Sequence, residues 1–254
     1  MSHAIDLSEV TMTYGKEKKQ VEALENVGLS IEPGEFFSIV GPSGCGKTTV
    51  LKLIGGLLKP TSGRIAIDGR PVQDARKNRE FGFVFQTPAL LPWRNVMQNV
   101  LLPLEVIGEN TPTNRKKAFD LLDFMGLSKF LDSYPSALSG GMQQRVSIAR
   151  ALAFSAKLLL MDEPFGALDA MTRTKMAYEL LRIWIQFRRT VVFVTHDIPE
   201  AVLLSDKIAI MSERPGKIVE TLKIDLPRPR SAESQNDPAF TRHVQTIREH
   251  FGLA

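Results

Sequence analysis

One run of eight residues constrains this chain more than any other: Gly41-Pro42-Ser43-Gly44-Cys45-Gly46-Lys47-Thr48. It satisfies the pattern G-x-x-x-x-G-K-[ST] at every fixed position. Its flanks agree with the pattern. Phe36-Phe37-Ser38-Ile39-Val40 reads as a buried strand entering the run, and Thr48-Thr49-Val50-Leu51-Lys52-Leu53-Ile54 as a helix leaving it. The glycines let the backbone curl around a phosphate and turn its N–H groups inward. The helix start adds partial positive charge at the same spot. Lys47 can reach the β- and γ-phosphates of a nucleotide, and the Thr48 hydroxyl can ligate Mg²⁺. A dinucleotide turn fits poorly, because Thr49 stands where G-x-G-x-x-G needs a third glycine or alanine. Cys45 reads as a small filler: no histidine is near it in sequence, and phosphates would repel a thiolate.

Two further runs carry chemistry. Leu158-Leu159-Leu160-Met161-Asp162-Glu163 sets two carboxylates at the end of an all-apolar strand. Beside a phosphate loop, that is where metal and water are managed. Asp162 would hold Mg²⁺, directly or through water, and Glu163 could polarise the attacking water. Leu138-Ser139-Gly140-Gly141-Met142-Gln143-Gln144-Arg145 sets a serine and two glycines before a helix, which makes a second anion site. One nucleotide and two phosphate-gripping loops pose a question of geometry. The simplest arrangement has the second loop serve the nucleotide of another copy.

The rest of the chain frames these motifs. Residues 5–40 read as β, with Val27, Leu29 and Ile31 alternating with Gly28 and Ser30. Arg64-Ile65-Ala66-Ile67 closes on the hairpin-type turn Asp68-Gly69. Phe81 to Phe85 is another strand, ending at Gln86. From about 88 to 150 the character turns helical: Ala118, Leu121, Leu122 and Met125 recur at helical spacing before Gly126. A helix is expected over 170–187, a buried strand over 191–195, and closing strands over 207–211 and 217–222. Residues 226–236 read as a Pro/Arg/Ser-rich linker. Asp237-Pro238 then starts a helix whose stripe Phe240, Val244, Ile247 and Phe251 is expected to pack on its own domain. The chain divides into 1–225 and an appended 226–254.

At 43% hydrophobic and 24% charged residues, 254 residues suit a globular domain with a full core. One cysteine excludes an internal disulfide framework and fits a reducing compartment. No secretory leader is expected at the N-terminus, and no run approaches the ~18 apolar residues of a membrane span. The longest apolar stretch, 151–161, is broken by Ser155 and Lys157. Net charge is +4, but basic and acidic residues interleave, and the run at 16–19 reads as a solvated loop tip. Nucleic acid is therefore not expected as a partner.

The phosphate loop, the LSGGMQQR run and the LLLMDEP strand end occur together in an order that resembles the nucleotide-binding subunit of an ATP-binding cassette (ABC) transporter. The resemblance covers residues 6–222. It implies an α/β P-loop NTPase core with an antiparallel β subdomain and an inserted α-helical subdomain at about 88–150. It implies ATP with Mg²⁺, and a sandwich homodimer holding two ATP molecules. Residues 41–49 (Gly41, Pro42, Ser43, Gly44, Cys45, Gly46, Lys47, Thr48 and Thr49) would cradle one ATP, with Lys47 acting in catalysis. Ser139, Gly140 and Gly141 would meet the γ-phosphate bound by the other copy. By the same resemblance, Tyr14 would stack on adenine, and Gln86 would reach Mg²⁺ and the water alongside Thr48 and Asp162. Ala167-Leu168-Asp169 matches the dimer-contact loop, and His196 the switch histidine at the γ-phosphate.

Within the family, Pro92-Trp93-Arg94-Asn95-Val96, Ser212-Glu213-Arg214-Pro215-Gly216-Lys217 and Pro227-Arg228-Pro229 look like the importer branch for nitrate, sulfonates and taurine. The stretch after residue 222 is short for the extra C-terminal β-domain of sugar and polyamine importer subunits. Such a subunit would sit on the cytoplasmic face of the inner membrane, bound to permease subunits and served indirectly by a substrate-binding protein. Leu90-Leu91-Pro92-Trp93 is expected to receive a short permease helix. Three rivals fit less well. A soluble ABC ATPase of translation or DNA repair usually carries two cassettes or a coiled-coil insertion. A small-molecule kinase has no use for the second anion loop or the switch histidine. A nucleotide-dependent scaffold would need a disabled site, and Lys47, Asp162, Glu163 and His196 are all present.

Overall fold

A computed structural model describes residues 3–15, 20–154 and 156–253; the basic run at 16–19 and Ser155 lie outside the described residues. The strands are β1 (Ile5–Tyr14), β2 (Val21–Ile31), β3 (Phe36–Val40), β4 (Ser62–Ile67), β5 (Arg70–Pro71), β6 (Phe81–Val84), β7 (Leu158–Asp162), β8 (Thr190–Thr195), β9 (Lys207–Met211) and β10 (Ile218–Lys223). The helices are α1 (Lys47–Ile54), α2 (Val72–Lys77), α3 (Val96–Val106), α4 (Pro112–Phe124), α5 (Gly140–Leu152), α6 (Ala170–Phe187), α7 (Ile198–Leu204) and α8 (Pro238–His250).

The strands make two sheets. An antiparallel sheet runs β2-β1-β4-β5. β1 buries Ile5 and Leu7, then Val10 and Met12. The alternation slips by one residue at Glu9, which takes a left-handed φ of 51°, and the pairing shifts register there. The extra residue is a bulge that lets both halves of the strand face one core. The second sheet runs β10-β9-β3-β8-β7-β6, parallel except for β10 on its edge.

The three central strands are apolar runs because both faces are covered. Their period of two still sorts the side chains. Phe36, Leu159, Met161, Val191 and Phe193 enter one core with α3 to α8. Phe37, Ile39, Leu158, Leu160, Val192 and Val194 enter the other, closed by the antiparallel sheet, α1 and α2. Each such fully buried side chain contributes roughly 1.5–3 kcal/mol. β6 passes under α5 so closely that a Cβ on Gly82 would come within 2.6 Å of Ala151 O.

The helices expected over about 88–150 are α3, α4 and α5, with Ala118, Leu121, Leu122 and Met125 buried. Asn95 starts α3 with a reciprocal capping box to Gln98. Asp169 caps α6, and Arg188 ends it in a left-handed conformation with its guanidinium 4.6 Å over the Trp184 ring. α8 buries Phe240, Val244 and Ile247 in the core of its own domain. Two short helices, α2 and α7, were not expected.

The linker reading of 226–236 needs correction. Leu226 and Arg230 are buried. Arg230 donates to the carbonyls of Val202, Leu203, Ser205 and Leu226, completing the C-terminal end of α7. Arg228 bonds Asp206 and Leu204 O while covering the Trp184 ring at 4.2 Å. Residues 226–230 form a packed strap, because orphan carbonyls at a helix end recruit its arginines, while 231–236 stays mostly exposed. Among the described residues, no helix is long and apolar enough to cross a membrane.

Candidate functional site

Four neighbouring strands, β3, β8, β7 and β6, end on the same side. Their ends deliver the phosphate loop, His196, Asp162-Glu163 and Gln86 in adjacent positions. Open α/β sheets bind ligands in this crevice beyond the carboxyl ends of the strands.

The loop between β3 and α1 is held by what lies beneath it. Gly46 has φ 110°, and a Cβ there would meet Leu24 Cδ2 of β2 at 2.7 Å. Arg214, following β9, donates to Gly44 O from Nε (3.2 Å) and Nη2 (2.8 Å). Lys47 is only 5% exposed. Its ammonium donates to Gly41 O (2.8 Å) and Pro42 O (3.0 Å) and lies 3.9 Å from Glu163 Oε1. The charge is thus folded across its own loop within reach of the proposed base. Cys45 is buried, and burial pushes its thiol pKa up against the pull of Lys47, as befits a filler.

Thr48 Oγ1 donates to Asp162 Oδ1 at 2.8 Å. Burial raises the pKa of Asp162, and the Thr48 hydrogen bond opposes that shift. Glu163 takes a left-handed φ of 43°, and its N–H donates to Val194 O at 2.9 Å. Strain of this kind persists where surrounding bonds over-determine it. Here it aims the carboxylate at His196, with Oε2 at 3.0 Å from Nδ1. Gln86 closes the same corner: a Cβ on Gly166 would lie 3.1 Å from Gln86 Nε2 and 3.7 Å from Glu163 Oε2.

The oxygens of Thr48, Asp162 and Gln86 suit Mg²⁺, a hard cation. Among the described residues, no cluster of three or more His, Cys, Asp or Glu could hold a metal alone.

Tyr14 closes β1 beside α1, its hydroxyl 3.2 Å from Thr49 Oγ1. Ser139 caps α5, accepting from Met142 N–H at 3.3 Å. Gly140 and Gly141 face Leu168 and Thr172: an added Cβ would lie 3.5 Å and 3.1 Å from their side chains. Among the described residues, no side-chain hydrogen bond or ion pair joins Ser139, Gly140 or Gly141 to the phosphate loop, Asp162, Glu163 or His196.

Some features were missed. Arg214 sits in a run read only for its family likeness, and its bond to Gly44 spans 170 residues. Arg150 of α5 donates to Pro88 O (2.7 Å) and Ala89 O (2.8 Å), fastening the stretch after Gln86. A groove of about 500 Å³ opens beside it, lined by Leu57, Phe81, Phe83, Pro103 and Val106 with Arg76, Arg79 and Arg150. Leu90-Leu91-Pro92-Trp93 does not line this groove. Asn99 fixes that loop through Leu91 N–H and the carbonyls of Leu91, Arg94 and Asn95, and Trp93 projects from it 70% exposed.

The sequence profile of the ABC transporter family matches residues 24–166. An uncharacterized ABC transporter ATP-binding protein of Methanocaldococcus jannaschii, MJ0412, is 45% identical over 97% of this chain and 92% of its own length. The aliphatic sulfonates import ATP-binding protein SsuB of Bacillus cereus is 42% identical over 98% of this chain and 97% of its own. Among solved structures, the ATP-binding cassette MJ0796, a dimer in a post-hydrolysis state bound to ADP and Pi, superposes with a TM-score of 0.74 at 38% identity. The match covers 87% of this chain and 98% of that one.

Proposed function

The chain belongs to the ABC transporter ATP-binding proteins and is an ATP-hydrolysing cassette; on that premise we propose that it powers import of a small solute of the nitrate, sulfonate or taurine type through a separate membrane permease. The observation that carries the reading is the split between the two anion loops. Lys47, Thr48, Gln86, Asp162, Glu163 and His196 share one crevice, while the Ser139 end of α5 is bonded to none of them. Such a half-site is completed by a second copy. The dimeric MJ0796 cassette supports this reading.

In the sandwich, the phosphate loop of one subunit and Ser139, Gly140 and Gly141 of its partner grip one ATP, with Tyr14 against the adenine. Lys47 exchanges its carbonyl partners for phosphate oxygens. Thr48, Asp162 and Gln86 would hold Mg²⁺, which would supply positive charge to the phosphates. Glu163 takes the proton of the attacking water, and His196 aims the Glu163 carboxylate. Two ATP molecules favour the closed dimer, and hydrolysis removes that preference.

Exposed Trp93 in the 90–93 loop and the apolar groove beside Arg150 together suit a short permease helix, and the groove's rim of Arg76, Arg79 and Arg150 suits an acidic residue on that helix. Docking there would hold the subunit peripherally at the cytoplasmic face of the membrane. The sulfonate relative supports the solute class.

Reconstitution tests the proposal. The chain is assembled in vesicles with a candidate permease and substrate-binding protein, and offered an alkanesulfonate, taurine or nitrate. ATP hydrolysis should rise severalfold with the loaded binding protein, and uptake should vanish with Glu163→Gln. Hydrolysis indifferent to permease and binding protein would end the import reading.

A further inference from the structure

Around His196 a chain of polar contacts joins three segments. Arg173, in the first turns of α6, reaches two ways. Nη2 donates to Leu168 O at 3.1 Å, and Nη1 to Asp197 Oδ2 at 3.2 Å. The other Asp197 oxygen accepts Glu200 N–H at 2.9 Å, which caps α7. Asp197 N–H donates to Thr195 Oγ1 at 3.0 Å, and that hydroxyl donates to Glu200 Oε2 at 2.6 Å. Both chain neighbours of His196 are therefore fixed, while among the described residues the imidazole itself hydrogen-bonds only Glu163.

We propose that Arg173, acting through Asp197 and Glu200, is a positioning residue that ties the aim of His196 to the 167–169 loop. This rests on the reading of Glu163 and His196 given above. The guanidinium suits the task because its planar fork holds two acceptors in fixed directions, which an ammonium does not. The loop it grips is the one Gly140 faces through Leu168, and Thr172 beside Arg173 faces Gly141. A partner subunit that moves the Ser139 end of α5 therefore moves the support of Arg173. The brace is also poor as a device for stability alone. Glu200 Oε1 and Arg173 Nε are buried with no hydrogen-bond partner among the described residues. Burying a glutamate with one idle oxygen destabilises a fold, so function is the better account of it.

The test uses the full chain and compares Arg173→Ala, Arg173→Lys, Glu163→Gln and His196→Ala. Steady-state kcat and KM, ATP affinity by calorimetry and melting temperature are read for each. Arg173→Ala should lower kcat about tenfold, ~1.4 kcal/mol of barrier, with KM and ATP affinity within twofold. Arg173→Lys should recover little, because one ammonium cannot serve both acceptors. In single-turnover reactions, adding Arg173→Ala to His196→Ala should cost little beyond His196→Ala alone, since both act through one imidazole.

An unchanged kcat, a loss confined to ATP affinity, or defects that multiply in the double variant each overturn the proposal. Should Arg173→Ala fail to fold, Asp197→Asn takes its place with the same expectations, because it keeps the acceptor for Glu200 N–H. If Glu163→Gln and His196→Ala hydrolyse ATP normally, the site reading itself fails. If they are crippled and the Arg173 and Asp197 variants are not, only the brace fails.

Discussion

At the scale of single residues, Glu163 has the clearest expected outcome. Its side chain lies between His196 and Lys47, at 3.0 Å and 3.9 Å. Glu163→Gln keeps the shape and removes the proposed base, so turnover should fall by ~10²–10⁴-fold while ATP still binds. Parallel ATPase, nucleotide-binding and sizing measurements should find an ATP-bound dimer accumulating; hydrolysis at the normal rate would take the role from Glu163. Glu200 gives a pH dependence. Burial raises its pKa to about 7 from an ordinary 4.5, with the Thr195 hydrogen bond opposing and Asp197 adding to the rise. Between those values the folded protein holds a proton that the unfolded chain has released, so this residue's contribution is full below about 4.5 and is lost as pH climbs through 7. Glu200→Gln should therefore change the melting temperature more favourably at pH 8 than at pH 5. An equal change at both pH values would mean the carboxyl is ionised throughout. That Lys47, Thr48, Asp162 and Glu163 would meet in one place was legible in the sequence, because their motifs sit at the ends of readable buried strands. Arg173, Glu200 and Arg214 were not, because burial of a glutamate and a bond across 170 residues leave no mark on neighbouring positions.

Among the elements, length and periodicity decided what could be read. The buried strands β3, β7 and β8 and the 18-residue α6 declare themselves by apolar runs and capping residues. α2 and α7 have six and seven residues, under two turns, which is too short for a 3.6-residue pattern to repeat. The bulge at Glu9 is likewise silent, since nothing in the residue type demands φ 51° there. The strap over 226–230 misled for a different reason. Proline, serine and arginine usually mark solvated chain, and only the carbonyl end of α7 turns Arg230 into a buried cap. Arg230 makes four hydrogen bonds to main-chain carbonyls. Arg230→Met fills much of its volume but leaves those carbonyls unpaired, a loss of roughly 2–4 kcal/mol. For a domain of this size that lowers Tm by about 4–16 °C. Catalytic constants measured well below the transition should stay within about threefold, under ~1 kcal/mol. A melting temperature within a degree of the parent would mean the strap supports nothing.

For the molecule as a whole, the question is whether its two anion loops serve one nucleotide or two. Both were legible as local sequence, since a glycine turn before a helix can be recognised without knowing what lies opposite. What surrounds the second loop was not legible. α5 packs against α3, α4 and β6, and that packing places its Ser139 end. Two variants turn that geometry into a measurement. Lys47→Ala removes the buried ammonium from its own phosphate loop and should abolish ATP binding by that loop. Ser139→Arg leaves the loop intact and should block only the partner's phosphate. Each homodimer has two damaged sites and should be inactive. In a mixed dimer one composite site inherits both defects and the other inherits neither. Random pairing of equal amounts gives half mixed dimers with one sound site of two, so activity should return to about a quarter of the parent's if the sites work independently, as an isologous dimer permits. Mixed dimers are counted by tagging the two variants differently and purifying on both tags in turn. Recovery after that purification requires a site built from two chains, because neither variant holds an intact phosphate loop and an intact Ser139 together. Verified mixed dimers that stay inactive would count against shared sites or against one sound site sufficing. A third mixture separates those two outcomes: parent with the double variant Lys47→Ala/Ser139→Arg. There each mixed site has one damaged half, so shared sites predict no activity from that species, whereas self-contained sites predict half.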